Sequence, residues 1–186
     1  MTITNSNFND IISGASNNSW NYSPYGHISN WDVSAVTVMS NAFSNKTTFN
    51  EDISGWNMEN VVNTSNMFYN AFAFNQPIGD WSMGNVTNTN EMFRGADVFN
   101  QPIGDWSMGK VINASSMFYD AKAFNQDIGD WNMGNNEYYN PNNGRWLTGR
   151  YYNNMFEGAI SFNQYIGYWD IGAATRNGIF NNSKIH

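Results

Sequence analysis

A chain of 186 residues with a formal charge of −7 and a pI near 4.5 is long enough for one domain with a sizeable core. That acidity argues against nucleic acid and anionic membrane surfaces as partners, because both ask for clustered Lys and Arg. Aromatic residues make up 17% and charged residues 12%, too apolar a balance for disorder, and the absence of cysteine removes disulfides, thiolate chemistry and Cys-ligated zinc.

Residues 1–27 read as an N-terminal cap with a degenerate repeat. The start, MTITNSNFNDIISG, has no basic region or apolar run of signal-peptide type. The expectation is a leader already removed, or a protein that leaves its cell by another route, such as inside a virion. Phe8-Asn9-Asp10-Ile11-Ile12 echoes Phe49-Asn50-Glu51-Asp52-Ile53. Ser13 to His27 then have loop composition, with Trp20, Tyr22 and Tyr25 able to fold over an open end.

Residues 28–171 repeat. Trp31, Trp56, Trp81, Trp106 and Trp131 fall every twenty-five residues, and Trp169 follows after thirty-eight. An isoleucine stands three before each, from Ile28 to Ile166, and a phenylalanine twelve after, from Phe43 to Phe118 and then Phe156. A second Phe column runs Phe49, Phe74, Phe99, Phe124, Phe162. A fixed period of this length marks stacked repeats that cannot bury their apolar faces singly. The predicted fold is a repeat solenoid of about six 25-residue coils, with short parallel strands and short helical turns. At about 4.8 Å per coil the stack is a rod near 30 Å long.

Within a repeat, Trp and Met two apart suit one face of a strand. Met67-Phe68, Ala71 and Phe74 suit one face of a short helix or 3₁₀ turn, with Thr64 and Ser65 as caps. Asn50, Asn75, Asn100, Asn125 and Asn163 each follow a core Phe, which predicts an asparagine ladder bonding backbone groups at a bend. Asp80, Asp105 and Asp130 precede successive tryptophans. Stacking would bring them roughly 5 Å apart, and a bound Ca²⁺ would relieve their repulsion. The plainer alternative has each Asp capping a turn in water.

Between Met133 and Met155 lie thirteen additional residues, within 134–154. This insertion carries Tyr138, Tyr139, Arg145, Trp146, Arg150, Tyr151 and Tyr152, residue types enriched at binding hot spots and able to stack on sugar rings. It is the predicted partner-binding site; the alternative is a loop that folds back as a cap or fills a self-assembly contact. Residues 172–186 form the C-terminal cap. Catalysis finds little support: of two histidines, only His27 lies where a Ser-His-Asp set could centre, and no glycine-rich phosphate loop precedes a basic residue.

FNQPIGDWSMGNVTNTNEMFRGA resembles the repeat of the BspA-like leucine-rich-repeat surface proteins, the twenty-five-residue type of mycoplasma lipoproteins and of bacterial and phage sequences. The pattern FNQxIGxW…VTxMxxMFxxA fits residues 49–124 well, and 28–48 and 153–171 more loosely. The missing leader and the aromatic insertion depart from it. The resemblance implies a right-handed leucine-rich-repeat-like solenoid on a cell or particle surface, with adhesion or partner binding as its role and no catalytic residues to carry over. Function is therefore expected to be non-enzymatic recognition of a surface protein or glycan, as an extracellular or virion component. The alternative is a self-associating assembly or decoration subunit.

Overall fold

The computed structural model describes residues 3–14, 21–22, 25–133, 137–140, 145–148, 150–169, 171 and 179–180; at 21–22, 137–140 and 145–148 it describes the backbone alone. Helix α1 spans Phe8–Gly14. Its Phe8, Ile11 and Ile12 are buried, the i, i+3, i+4 stripe of an amphipathic helix. The echo of the Phe49–Ile53 bend thus does not carry its conformation. The bend bonds to a neighbouring copy, whereas a helix satisfies backbone groups within itself. The N-terminal segment still bonds to the first copy. Thr4 bridges Ala35 in parallel, and Asn5 Oδ1 accepts the N–H groups of Thr37 and Val38 at 2.8 and 3.1 Å. Strands β1 (Asn21–Tyr22) and β2 (Gly26–His27) form a small antiparallel hairpin. Tyr25 packs edge-on against Trp31 at 6.3 Å; the side chains of Trp20 and Tyr22 lie outside the described residues.

From Ile28 onward the 25-residue copies lie one on the next, joined by single parallel bridges rather than the expected short strands: Val38 to Asn63, Asn63 to Asn88, Asn88 to Asn113, and Asn113 to Tyr151. The expected helical turns are also replaced. Over Thr64–Ala71 the N–H groups of Thr64, Asn66, Phe68 and Asn70 donate to carbonyls of the next copy, while those of Met67, Tyr69 and Ala71 close turns three residues back. A helix would instead point its N–H groups along its own axis, those beyond the first turn donating to carbonyls four residues back. The alternation requires left-handed backbone at two positions per copy: Asn41 and Asn45, Asn66 and Asn70, Glu91 and Gly95, Ser116 and Asp120, Asn154 and Gly158. Asn, Asp and Gly tolerate that region best. A Cβ on Gly95 or Gly158 would also meet the side-chain oxygen of Asn70 or Asp120, which would have to turn aside. The turn is capped by Asn63, Asn88 and Asn113, whose Oδ1 atoms accept the N–H two residues on at 2.9–3.0 Å, the Asx-turn geometry. Thr64 is not the cap. Its buried hydroxyl donates to Asn88 O, as that of Thr89 does to Asn113 O.

Inside, Phe43, Phe68, Phe93, Phe118 and Phe156 stack at 5.4–5.6 Å between copies. Phe49, Phe74, Phe99, Phe124 and Phe162 stack at 5.7–6.1 Å. Indole rings stack at 6.3 Å for Trp31–Trp56, and at 6.0–6.5 Å from Trp81 through Trp169. These centroid separations exceed 4.8 Å because aromatic rings pack offset. Phe180 takes the next place in the first Phe column, 5.7 Å from Phe156, and Ile179 O accepts the Phe156 N–H as Met155 O accepts that of Phe118.

Candidate functional site

The bend leading to each Trp is fastened by amides. Asn50, Asn75, Asn100 and Asn125 accept, through Oδ1, the N–H of Asn75, Asn100, Asn125 and Asn163 in turn, at 2.8–2.9 Å. The following glutamines reinforce this, Gln126 Nε2 donating to both Asn100 O and Asn100 Oδ1. The ladder is thus scaffold. Replacing Asn100 by Ala orphans the Asn125 N–H and is expected to destabilise by about 1–3 kcal/mol, while Asn100→Asp keeps an acceptor and most of the stability at neutral pH; urea unfolding of the two variants checks this.

Asp80, Asp105 and Asp130 all lie exposed at the turn before Trp. Asp105 and Asp130 line a shallow depression of about 190 Å³ with Gly104 and Asp127. Yet among the described residues no three His, Cys, Asp or Glu side chains converge to hold a metal. The Asp column is therefore not gathered into a Ca²⁺ site: these carboxylates are turned to solvent, where repulsion is screened. On the same edge Asp52, and just past Trp31 Asp32, are held below the usual carboxylate range, chiefly by the hydroxyls of Ser54 and Ser34.

The insertion divides in two. Strands β3 (Glu137–Asn140) and β4 (Arg145–Thr148) form an antiparallel hairpin that sets Tyr139 opposite Trp146, Tyr138 opposite Leu147 and Asn140 opposite Arg145. The side chains of Tyr138, Tyr139, Arg145 and Trp146 lie outside the described residues. Arg150, Tyr151 and Tyr152 are already back in the repeat frame, Tyr151 bridging Asn113. Arg150 is not available to a partner: its guanidinium donates to Gly109 O, Val111 O and Met133 O at 2.8–2.9 Å. Nor is Tyr152, which is fully buried with its hydroxyl on Met133 O. In earlier copies the corresponding carbonyls of Met58, Met83 and Met108 accept from Val61, Val86 and Val111. Where the chain leaves for the hairpin, Arg150 and Tyr152 take over that duty. Burial, partly offset by Arg150, raises the Tyr152 phenol above its ordinary 10.0. The unfolded chain then ionises first, so stability is expected to fall as pH rises beyond 10, and less so in Tyr152→Phe; melts from pH 8 to 11 test it.

Tyr151 remains exposed, and it has company. The four most exposed large apolar side chains among the described residues are Tyr151 (55%), Ile160 (65%), Tyr165 (67%) and Tyr168 (77%), all in the copy that follows the hairpin. In the copy before, the same places hold Asn113, Lys122, Asp127 and Asp130. Spacing alone gave no sign of this, since it identifies conserved columns and these residues depart from theirs. His27, by contrast, is a cap. Its Nδ1 accepts the Ser29 N–H at 3.3 Å and lies 2.8 Å from Ser29 Oγ, while Nε2 lies 3.3 Å from Glu51 Oε2. The order Ser–His–Glu invites a catalytic reading, but the Ser29 N–H that would serve an oxyanion is spent on the imidazole.

The family model described as Mycoplasma protein of unknown function, DUF285, matches residues 7–97, 73–145 and 135–185. The chain belongs to the DUF285 family. Three matches along one chain agree with its internal repetition, so this DUF285 member is a repeat protein. Comparison with curated proteins and with solved structures finds no match. Among the described residues no helix is long and apolar enough to cross a membrane.

Proposed function

We propose that this DUF285 chain is a non-enzymatic surface recognition module of the BspA-like kind. Its copies make a right-handed, leucine-rich-repeat-like solenoid of about six coils, displayed on a cell or virion surface, where it binds a protein or glycan. The observation that carries this is the concentration of exposed Tyr and Ile side chains in one copy, directly after a hairpin that the other copies lack. Water-exposed apolar side chains concentrated in one part of a repeat array, where the earlier copies expose only Val62, Phe72 and Val98 among the described residues and these less fully, fit a recognition surface better than a scaffold. Labelled protein should attach to a subset of bacterial or host cells in a panel and sediment as a monomer at all concentrations. A variant carrying Tyr151→Ala, Tyr165→Ala and Tyr168→Ala should fold and fail to attach. Concentration-dependent rods and no attachment to any cell would replace this reading with the assembly subunit.

A further inference from the structure

Every copy passes from its ladder Asn to its Trp through one bend, and these bends form an edge of distinctive charge. The five segments Asn50–Trp56, Asn75–Trp81, Asn100–Trp106, Asn125–Trp131 and Asn163–Trp169 contain Glu51, Asp52, Asp80, Asp105, Asp127 and Asp130, and no Lys or Arg. Among the described cations, Arg94 pairs with Glu91 at 2.9 Å, Lys122 with Asp97 at 3.1 Å, Lys110 bonds Asn85, and Arg150 bonds the Gly109, Val111 and Met133 carbonyls, all outside these segments.

Tyr165 and Tyr168 end this edge. Tyr165 follows Asp127 in its column and Tyr168 follows Asp130. The backbone of Tyr165 rests directly on the Asp127–Asp130 bend, so closely that a Cβ on Gly129 would come within 2.8 Å of Tyr165 O. The two rings stand at 83° with centroids 5.2 Å apart and are the two most exposed large apolar side chains described. In the preceding copy Asp127 and Asp130 line one depression with Asp105, and the same place for a Cβ on Gly129 lies 3.3 Å from Asp127 Oδ1. Two exposed rings in an edge-to-face pair, ending an edge whose segments carry carboxylates and no Lys or Arg, are complementary to an ammonium or guanidinium group.

Resting on the recognition reading above, we infer that the Tyr165–Tyr168 pair docks a Lys- or Arg-rich segment of a protein partner. One cationic side chain lies against the rings, and neighbouring ones lie along Asp127, Asp130 and Asp105. Charge decides the occupant. A neutral glycan would gain from the rings and nothing from the net field of the edge, whereas a basic segment gains from both and is steered toward it.

The test is fluorescence anisotropy of the full chain with a labelled octa-arginine peptide, beside octa-glutamate and neutral Gly-Ser peptides. Octa-arginine alone should bind, and should weaken sharply between 0.05 and 0.5 M salt, on the order expected for screened charges. Tyr165→Ala with Tyr168→Ala, and Asp127→Asn with Asp130→Asn, should each weaken binding at least about tenfold. Asp97→Asn, which removes a carboxylate from another face, should change it less than about twofold. Tyr168→Ala alone, at the more exposed ring, guards against a misfolded double variant. The inference is overturned if octa-arginine does not bind, if the tyrosine variants bind as the parent does, or if Asp97→Asn weakens binding as much as the bend variants. It is equally overturned if a neutral oligosaccharide binds this pair undiminished in high salt. Cell attachment that persists while peptide binding is absent sinks only this inference; loss of both takes the recognition reading with it.

Discussion

Replacing Trp106 by Ala should cost about 5 kcal/mol and split unfolding into two transitions. The indole is buried between Trp81 at 6.5 Å and Trp131 at 6.3 Å, with Phe93 at 6.2 Å. Removing a large buried aromatic costs about 3–5 kcal/mol. A further penalty comes from the polar end of the ring, because Trp106 Nε1 donates to Ile78 O at 3.1 Å. That bond reaches twenty-eight residues back into the preceding copy, and Trp56, Trp81, Trp131 and Trp169 make its equivalents to Ile28, Ile53, Ile103 and Ile128. Each of these indoles thus both fills a layer and bolts it to the one before. Losing Trp106 removes one of two donors to a carbonyl that keeps the Trp81 N–H, at about 0.5–1.5 kcal/mol. Trp106→Phe keeps most of the packing and loses the bolt, so about 2 kcal/mol is expected. Where stability is a sum of neighbour contacts, a weakened junction lets the two sides melt apart. Urea unfolding followed by far-ultraviolet circular dichroism should resolve the two steps for the Ala variant. One cooperative transition shifted by less than about 1 kcal/mol would mean that the indole column does not hold the copies together.

Spacing is enough to place the Ile, Trp, Met, Val and two Phe columns, because a column of like apolar side chains has only one place to go. It misses the buried column of Met39, Thr64, Thr89, Ala114 and Tyr152, whose residue types differ from copy to copy. It did not predict the backbone between columns. Met67, Phe68, Ala71 and Phe74 have helical spacing, yet Asn66 and Asn70 sit at positive φ and send alternate N–H groups to the neighbour. The recurring Asn, Asp and Gly ten and fourteen residues past Trp were the available signal for that. The Trp–Ile bond is invisible to spacing for another reason: it joins a side chain to a backbone oxygen, and carbonyls leave no mark in a sequence. The candidate site was read from composition, and composition does not separate a tyrosine facing water from one that completes a core. Tyr151 and Tyr152 are adjacent, one exposed and one buried, because the chain has returned to a pattern in which Asn113 faces out and Ala114 faces in.

Arg150→Ala is the second substitution with a large expected effect, near 3 kcal/mol. It would register as lost stability before any loss of binding. The guanidinium reaches Gly109 O and Val111 O in one copy and Met133 O in the next, so it spans the junction at which the hairpin leaves the stack. Hydrogen bonds from a charged donor contribute about 1.5–3 kcal/mol each in favourable cases. The total is reduced here because Arg150 Nε is buried without a partner, a standing cost that the variant removes. Lys keeps the charge and cannot fork to three carbonyls, so Arg150→Lys should recover less than half of the loss. Tyr152→Phe removes the second donor to Met133 O and should cost about 1–2 kcal/mol. Because the two side chains share that oxygen, their effects should be non-additive, with a coupling of at least about 0.5 kcal/mol in a double-mutant cycle. If instead Arg150→Ala left the melting temperature unchanged and removed attachment to cells, the arginine would be a contact for the partner, and the return of the chain to the repeat frame would rest on Tyr152 and the Asn113–Tyr151 bridge alone.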